Sequence, residues 1–191
     1  MKQAFSLIAL IAAFPAFAED ARKLDAHEHG VGTLNIAIDG MTVAMEFEAP
    51  GADIVGFEYE AESSADLAAI EAAVVKLGAP LDLFVMPDAA GCSVVEALAE
   101  LEGENGHDEH HDDHNDHGDD DHKDEVDDAG HTEFHAEYML ACDNPDAMTE
   151  ITFAYFEAFP NAQEVEVQVI AASGAQAFEV ERDAPVLELE R

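Results

Sequence analysis

Between Glu102 and Gly130 the chain reads EGENGHDEHHDDHNDHGDDDHKDEVDDAG, six histidines among fourteen acidic residues and one lysine. A stretch so poor in apolar side chains cannot bury enough surface to offset the entropy of ordering itself. It therefore cannot belong to a core, and the folded part of the chain must be assembled from the sequence on either side of it. We expect a mobile insertion. Its chemistry is dense neutral imidazole nitrogen and carboxylate oxygen, the donor set of a divalent transition metal, zinc first. The candidate ligands are His107, His110, His111, His114, His117 and His122. His107 and His111, and His110 and His114, are spaced at i, i+4, so a metal can draw a helical turn together. The segment is polar all round, so that turn should not stand without the metal. Several interchangeable, weak-to-moderate sites are the expectation.

The flanks read as strands. Thr33 to Glu48 alternates around Asp39-Gly40, with Leu34, Ile36 and Ile38 before the pair and Met41, Val43, Met45 and Phe47 after it, a strong hairpin signal. Ser63 to Leu77 carries Leu67, Ile70, Val74 and Leu77 at helical spacing, with a serine cap before it and Gly78 and Pro80 after it. Val94–Leu101, Thr132–Cys142, Ile151–Phe156, Glu164–Ile170, Ala177–Glu181 and Val186–Leu189 read as further strands, and Asn144-Pro145-Asp146 as a short helical turn. The expected fold class is β-rich α+β, with seven or eight antiparallel strands, one main helix and the His/Asp-rich insertion, residues 102–130, at a strand–strand connection.

The first eighteen residues are set apart. Lys2, the apolar run Phe5 to Phe14 and Ala16-Phe17-Ala18 form the pattern of a secretory signal cut after Ala18. The run is too short for a membrane span. We expect residues 19–191 to be one exported zinc-binding domain, with no membrane insertion after cleavage. The formal charge of −37 becomes one unit more negative once Lys2 is removed. Such a charge attracts cations and repels nucleic acid and anionic membranes. Export exposes Cys92 and Cys142 to oxidation. We read them as a disulfide joining the strands that flank the insertion; thiolate ligation of a metal is the alternative.

Histidines also occur outside the insertion. His27 and His29 lie in AHEHGVG, and His131 and His135 in HTEFHAEY with Glu133 between them. In a strand, positions i and i+2 share a side, so His27 and His29 can share one ion, as can His131, Glu133 and His135, leaving Phe134, Ala136 and Tyr138 for the core. If the two strands are neighbours, His27, His29, His131 and either Glu133 or His135 make a tetrahedral set. Asp113, Asn115, His117, Gly118 and Asp124 fall in an EF-hand-like register, but position twelve lacks Glu and no amphipathic helices flank it. There is no nucleophile constellation, no H-E-x-x-H and no phosphate loop, so we expect no enzyme. Copper(II) outcompetes zinc at nitrogen sites, which leaves copper or heavy-metal sequestration as the alternative function.

Five patterns in order carry a family resemblance: HEHGVGTLNIAIDG from His27, GFEYEAES from Gly56, AGCSV from Ala90, HTEFHAEYMLAC from His131 and ITFAYFEAFPNAQEVEVQVI from Ile151. Together they resemble the ZrgA family of periplasmic zinc-binding, zinc-uptake-associated proteins. The resemblance implies a non-enzymatic Zn(II) binder working beside a zinc importer of the ABC class or its solute-binding protein, with His27, His29 and His131 as ligands. Where the family pattern often has His in the GFEH segment, this chain has Tyr59.

Overall fold

The computed structural model describes residues 28–103 and 131–189. The segment read as a secretory signal, His27 and all six insertion histidines lie outside the described residues.

Two strands, β1 (Val31–Asp39) and β2 (Thr42–Pro50), form the hairpin that Asp39-Gly40 announces, with Asp39 opposite Thr42 and Gly40 at φ +57°. Two others, β4 (Cys92–Gly103) and β5 (Thr132–Cys142), form a long antiparallel pair on either side of the insertion, in register from Cys92 opposite Cys142 to Gly103 opposite Thr132. The insertion thus starts two residues later than expected, because Glu102 and Gly103 still belong to β4. With β7 (Glu164–Ala171) and β8 (Gly174–Glu181) these make a six-stranded sheet in the order β4-β5-β2-β1-β7-β8. A smaller sheet has the order β3-β6-β9, from β3 (Phe84–Val85), β6 (Glu150–Phe153) and β9 (Val186–Glu188).

Alternation turns one face of the large sheet inward. Leu34 and Ile36, Val43, Met45 and Phe47, Phe134, Ala136, Tyr138 and Leu140, and Val165 and Val167 are all buried. The small sheet and the helices cover this face. Phe47 lies 5.6 Å from Phe84 and 5.0 Å from Tyr155 between ring centroids, and Phe84 reaches Tyr138 and Phe153. Edge-on aromatic contacts of this kind add to the area they bury. Helix α2 (Ser64–Leu77) begins at Ser63, whose hydroxyl accepts the Asp66 amide at 3.1 Å, and packs Ala73 and Leu77 into the core. Leu67 is 54% exposed, so the apolar stripe docks only toward its C-terminal end.

Three expectations are corrected. The sheet is not wholly antiparallel, since β1 pairs β7 in parallel from Val31 opposite Glu164 to Ala37 opposite Ile170. These strands are joined by most of the fold, and no local turn dictates their relative direction. The run Ile151–Phe156 is not one strand: β6 stops at Phe153, and Tyr155–Ala158 is a single helical turn, α4, that aims Tyr155 and Phe156 into the core. Finally, His29 lies in the turn before β1 and His131 just before β5, so neither projects from a strand.

Cys92 and Cys142 are bonded, which settles against thiolate metal ligands. The bridge closes the far end of the β4–β5 pair across 50 residues of sequence. On the chain-entropy model it contributes about 4 kcal/mol. Reduction, or Cys92→Ser with Cys142→Ser, is expected to lower unfolding stability by about 2–4 kcal/mol in urea titrations. With register held by the bridge and the ladder, deleting Gly106 to Asp128 is expected to leave the far-ultraviolet circular dichroism of a folded protein, since the entropic cost of closing a connection changes only slowly with its length. An unfolded deletion variant would contradict this topology.

Candidate metal centre

Asp53 is the one buried charged side chain among the described residues, at 2% exposure. It sits in α1 (Gly51–Ile54), the short turn that follows β2. Its two oxygens accept the Gly30 amide at 2.8 and 3.0 Å. The Gly30 carbonyl in turn accepts the amides of Gln163 and Glu164 at 2.8 and 2.9 Å. Gly30 has φ +93°, a left-handed conformation that side chains other than glycine rarely adopt. This backbone junction fixes the residue before it, His29. Burial pushes the Asp53 carboxyl up, against the lowering effects of the Gly30 hydrogen bond and the nearby His29.

The segment after α1 is pressed against the start of β5. A Cβ at Gly51 would lie 2.7 Å from the Phe57 carbonyl oxygen and 3.1 Å from the Thr132 carbonyl oxygen, so only glycine permits this approach. The approach delivers Glu58 to His131. Glu58 is 14% exposed, with His29 Nε2 3.0 Å from Oε1 and His131 Nδ1 3.0 Å from Oε2. One carboxylate is therefore held between two imidazoles that are a hundred residues apart in the chain. Burial alone would raise the Glu58 pKa, but the hydrogen bonds to His131 and His29 together outweigh it and hold the carboxyl below its ordinary value. Around a tetrahedral zinc with ligands at roughly 2.0–2.1 Å, neighbouring donor atoms stand about 3.3 Å apart. The spacing of Glu58 to each ring is close to that, but the rings meet different oxygens of the carboxylate, so an ion held by all three residues requires the rings to close toward one another.

Of the set anticipated from His27, His29, His131 and either Glu133 or His135, the structure joins His29 and His131 through Glu58 and sets His135 apart from them. Four residues of extended chain separate His135 from His131 by about 13 Å. His135 is on the outer face of β5 and lies 3.4 Å from Glu46 Oε1. Directly across from it stand Glu48 on β2 and Glu100 on β4, and Glu133 stands across from Glu102. Two triads, Glu46/Glu48/His135 and Glu100/Glu102/His135, each have donor atoms within 4.8 Å of one another. Phe134, Ala136 and Tyr138 do face the core, as the alternation implied. Glu58 was not anticipated. The signal for it was the GFEYEAES pattern, in which attention fell on Tyr59. Tyr59 is 55% exposed and stacks on Phe57 at 4.7 Å, while its neighbour Glu58 enters the site.

A family model described as ZrgA family zinc uptake protein matches residues 26–189. The chain belongs to the ZrgA family. No curated protein matches it. Membership of a zinc uptake family and a disulfide are both compatible with an extracytoplasmic protein, and no helix among the described residues is long and apolar enough to cross a membrane.

Gly51→Ala is expected to cost about 1–3 kcal/mol by overpacking and to weaken zinc binding, because Glu58 can no longer reach His131. Calorimetry of the same sample reads both effects. In the metal-free protein, Glu58 has a folded-state pKa below its unfolded value. Its contribution to stability is therefore present above the unfolded value and lost as pH falls through the folded one. Glu58→Gln should remove this component, so its stability, measured by urea unfolding between about pH 3 and 6 with chelator present, should fall less steeply with acid than that of the parent.

Proposed function

We propose that this ZrgA-family protein is a non-enzymatic periplasmic binder that captures or buffers Zn(II) and supports its uptake. The observation that carries the reading is Glu58 held at 3.0 Å by both His29 and His131. Two imidazoles and a carboxylate are borderline donors suited to zinc. His27, two residues before His29, is the candidate for the fourth ligand. Both cysteines are consumed by the disulfide, and the site has no thioether, so soft donors for copper(I) are missing from it.

The insertion histidines, His107, His110, His111, His114, His117 and His122, act in this proposal as a second, weaker reservoir rooted beside the ordered site, since β5 begins immediately after His131. Capture on the insertion followed by transfer to Glu58 and its two histidines gives a path from many weak sites to one tight site. Hand-over to a zinc importer or its solute-binding protein is the further step that uptake requires. The imidazoles bind metal in their neutral form, so zinc affinity falls with acid.

Competition against a fluorescent zinc chelator tests the ordered site. His29→Ala, Glu58→Ala and His131→Ala are each expected to weaken the tightest site by roughly 10–100-fold, because its ligands have no substitutes. Any single insertion histidine replaced by alanine should change it less than about threefold, since a neighbouring imidazole replaces the lost one. Total stoichiometry should exceed one zinc per chain. Equal, small effects at all ten histidines would contradict an ordered site.

A further inference from the structure

The outer face of the large sheet carries more negative charge than a merely solvated surface explains. Glu46 stands directly opposite Glu137 in the register of β2 and β5. Like charges in directly opposed positions destabilise a sheet. The two Lys/Arg side chains among the described residues do not relieve them. Lys76 reaches the Ala158 carbonyl and lies over the Phe159 ring, and Arg182 donates to the carbonyls of Phe156, Phe159 and Ala162. Both are engaged around α4.

At the centre of these carboxylates is a single imidazole. The His135 side chain is only 18% exposed, and among the described residues its ring has one polar partner, Glu46 Oε1 at 3.4 Å, which is long for a hydrogen bond. The register fixes Glu48 directly beside it, and the donor atoms of Glu46, Glu48 and His135 lie within 4.8 Å of one another. The second pair, Glu100 and Glu102, flanks the same ring from β4.

We propose that Glu46, Glu48 and His135 form a second divalent-cation site on the outer face of the sheet, separate from the Glu58 centre. The proposal rests on the reading above only for the choice of ion. Its donor set, one nitrogen and two carboxylates, is harder than that of the Glu58 centre, so it takes zinc more weakly and also accepts manganese-like ions. The β2 pair is the better half because Glu46 and Glu48 are half-buried, whereas Glu100 and Glu102 are exposed on the edge strand. An ion here offsets the opposed glutamates and ties β2 to β5, the two central strands on this side of the sheet.

Site-resolved nitrogen-15 NMR of the mature chain during titration with zinc chloride separates this site from the Glu58 centre. Amides of residues 46–48 and 133–137 should shift with a saturating midpoint. His135→Leu, and separately Glu46→Gln with Glu48→Gln, should each raise that midpoint at least about tenfold. His29→Ala with His131→Ala should leave it within about twofold while abolishing the shifts at Gly30 and Glu58. The proposal is overturned by no saturable shift on these strands in the parent protein, or by shifts that persist in His135→Leu, which would mean a diffuse counter-ion layer. Shifts that vanish with the His29/His131 pair would equally overturn it, because they would report the other centre. An unchanged midpoint in the Glu46/Glu48 double variant overturns the β2 donor set. Failure of the Glu58 centre shows independently, as missing shifts at Gly30 and Glu58 in the parent protein.

Discussion

The arrangement depends on one buried carboxylate. Asp53 accepts the Gly30 amide with both oxygens, and it is the one charged side chain in the described core, which is otherwise apolar except for the Tyr138 and Tyr155 hydroxyls. Burying a charge is costly unless it is well satisfied. What this bond gains is position. It joins the turn before β1 to the turn after β2, and through the Gly30 carbonyl it also joins the start of β7. The parallel β1–β7 pairing begins at that junction, as does the placement of His29. The segment running from Asp53 to Glu58 is held by the same anchor. The two sides of the metal centre are thus clamped by a group that belongs to neither the insertion nor the main hydrophobic contacts.

Charge is distributed with a consistent logic around that anchor. The inner face of the sheet is apolar and aromatic, and the two described basic side chains cap carbonyls and cover rings near α4. The outer face is left acidic. Glu164 illustrates the consequence: partial burial and then repulsion from Glu179, Glu181 and Glu166 push its carboxyl above the ordinary value. A protein that maintains such repulsion across a sheet is poised for cations. The two histidine centres lie where carboxylates converge, one at the root of the insertion and one in the middle of the strands.

Local chemistry was legible in the sequence and long-range pairing was not. Asp39-Gly40 marked its hairpin, Ser63 and Gly78 bounded the helix, and the alternation through Phe134, Ala136 and Tyr138 named the core face of β5 correctly. The pairing of Cys92 with Cys142 followed from the expectation of export and from matching positions in two strand-like runs. By contrast, the direction of β7 against β1 and the break at Ala154 are decided by packing between distant segments. The site was half legible for the same reason. His29 and His131 carry a recognisable pattern, but Glu58 is one glutamate among many, and only the close approach at Gly51 distinguishes it. Placing His131 on the same strand face as His135 merged two positions that the structure keeps apart, because His131 precedes the strand.

The most direct test of the central claim is the position of the first zinc ion bound. Anomalous diffraction from crystals of the mature chain loaded with one equivalent of zinc locates it. The account predicts a peak roughly 2.0–2.2 Å from His29 Nε2, His131 Nδ1 and an oxygen of Glu58. A zinc peak elsewhere, with Glu58 still hydrogen-bonded to both rings, would contradict it.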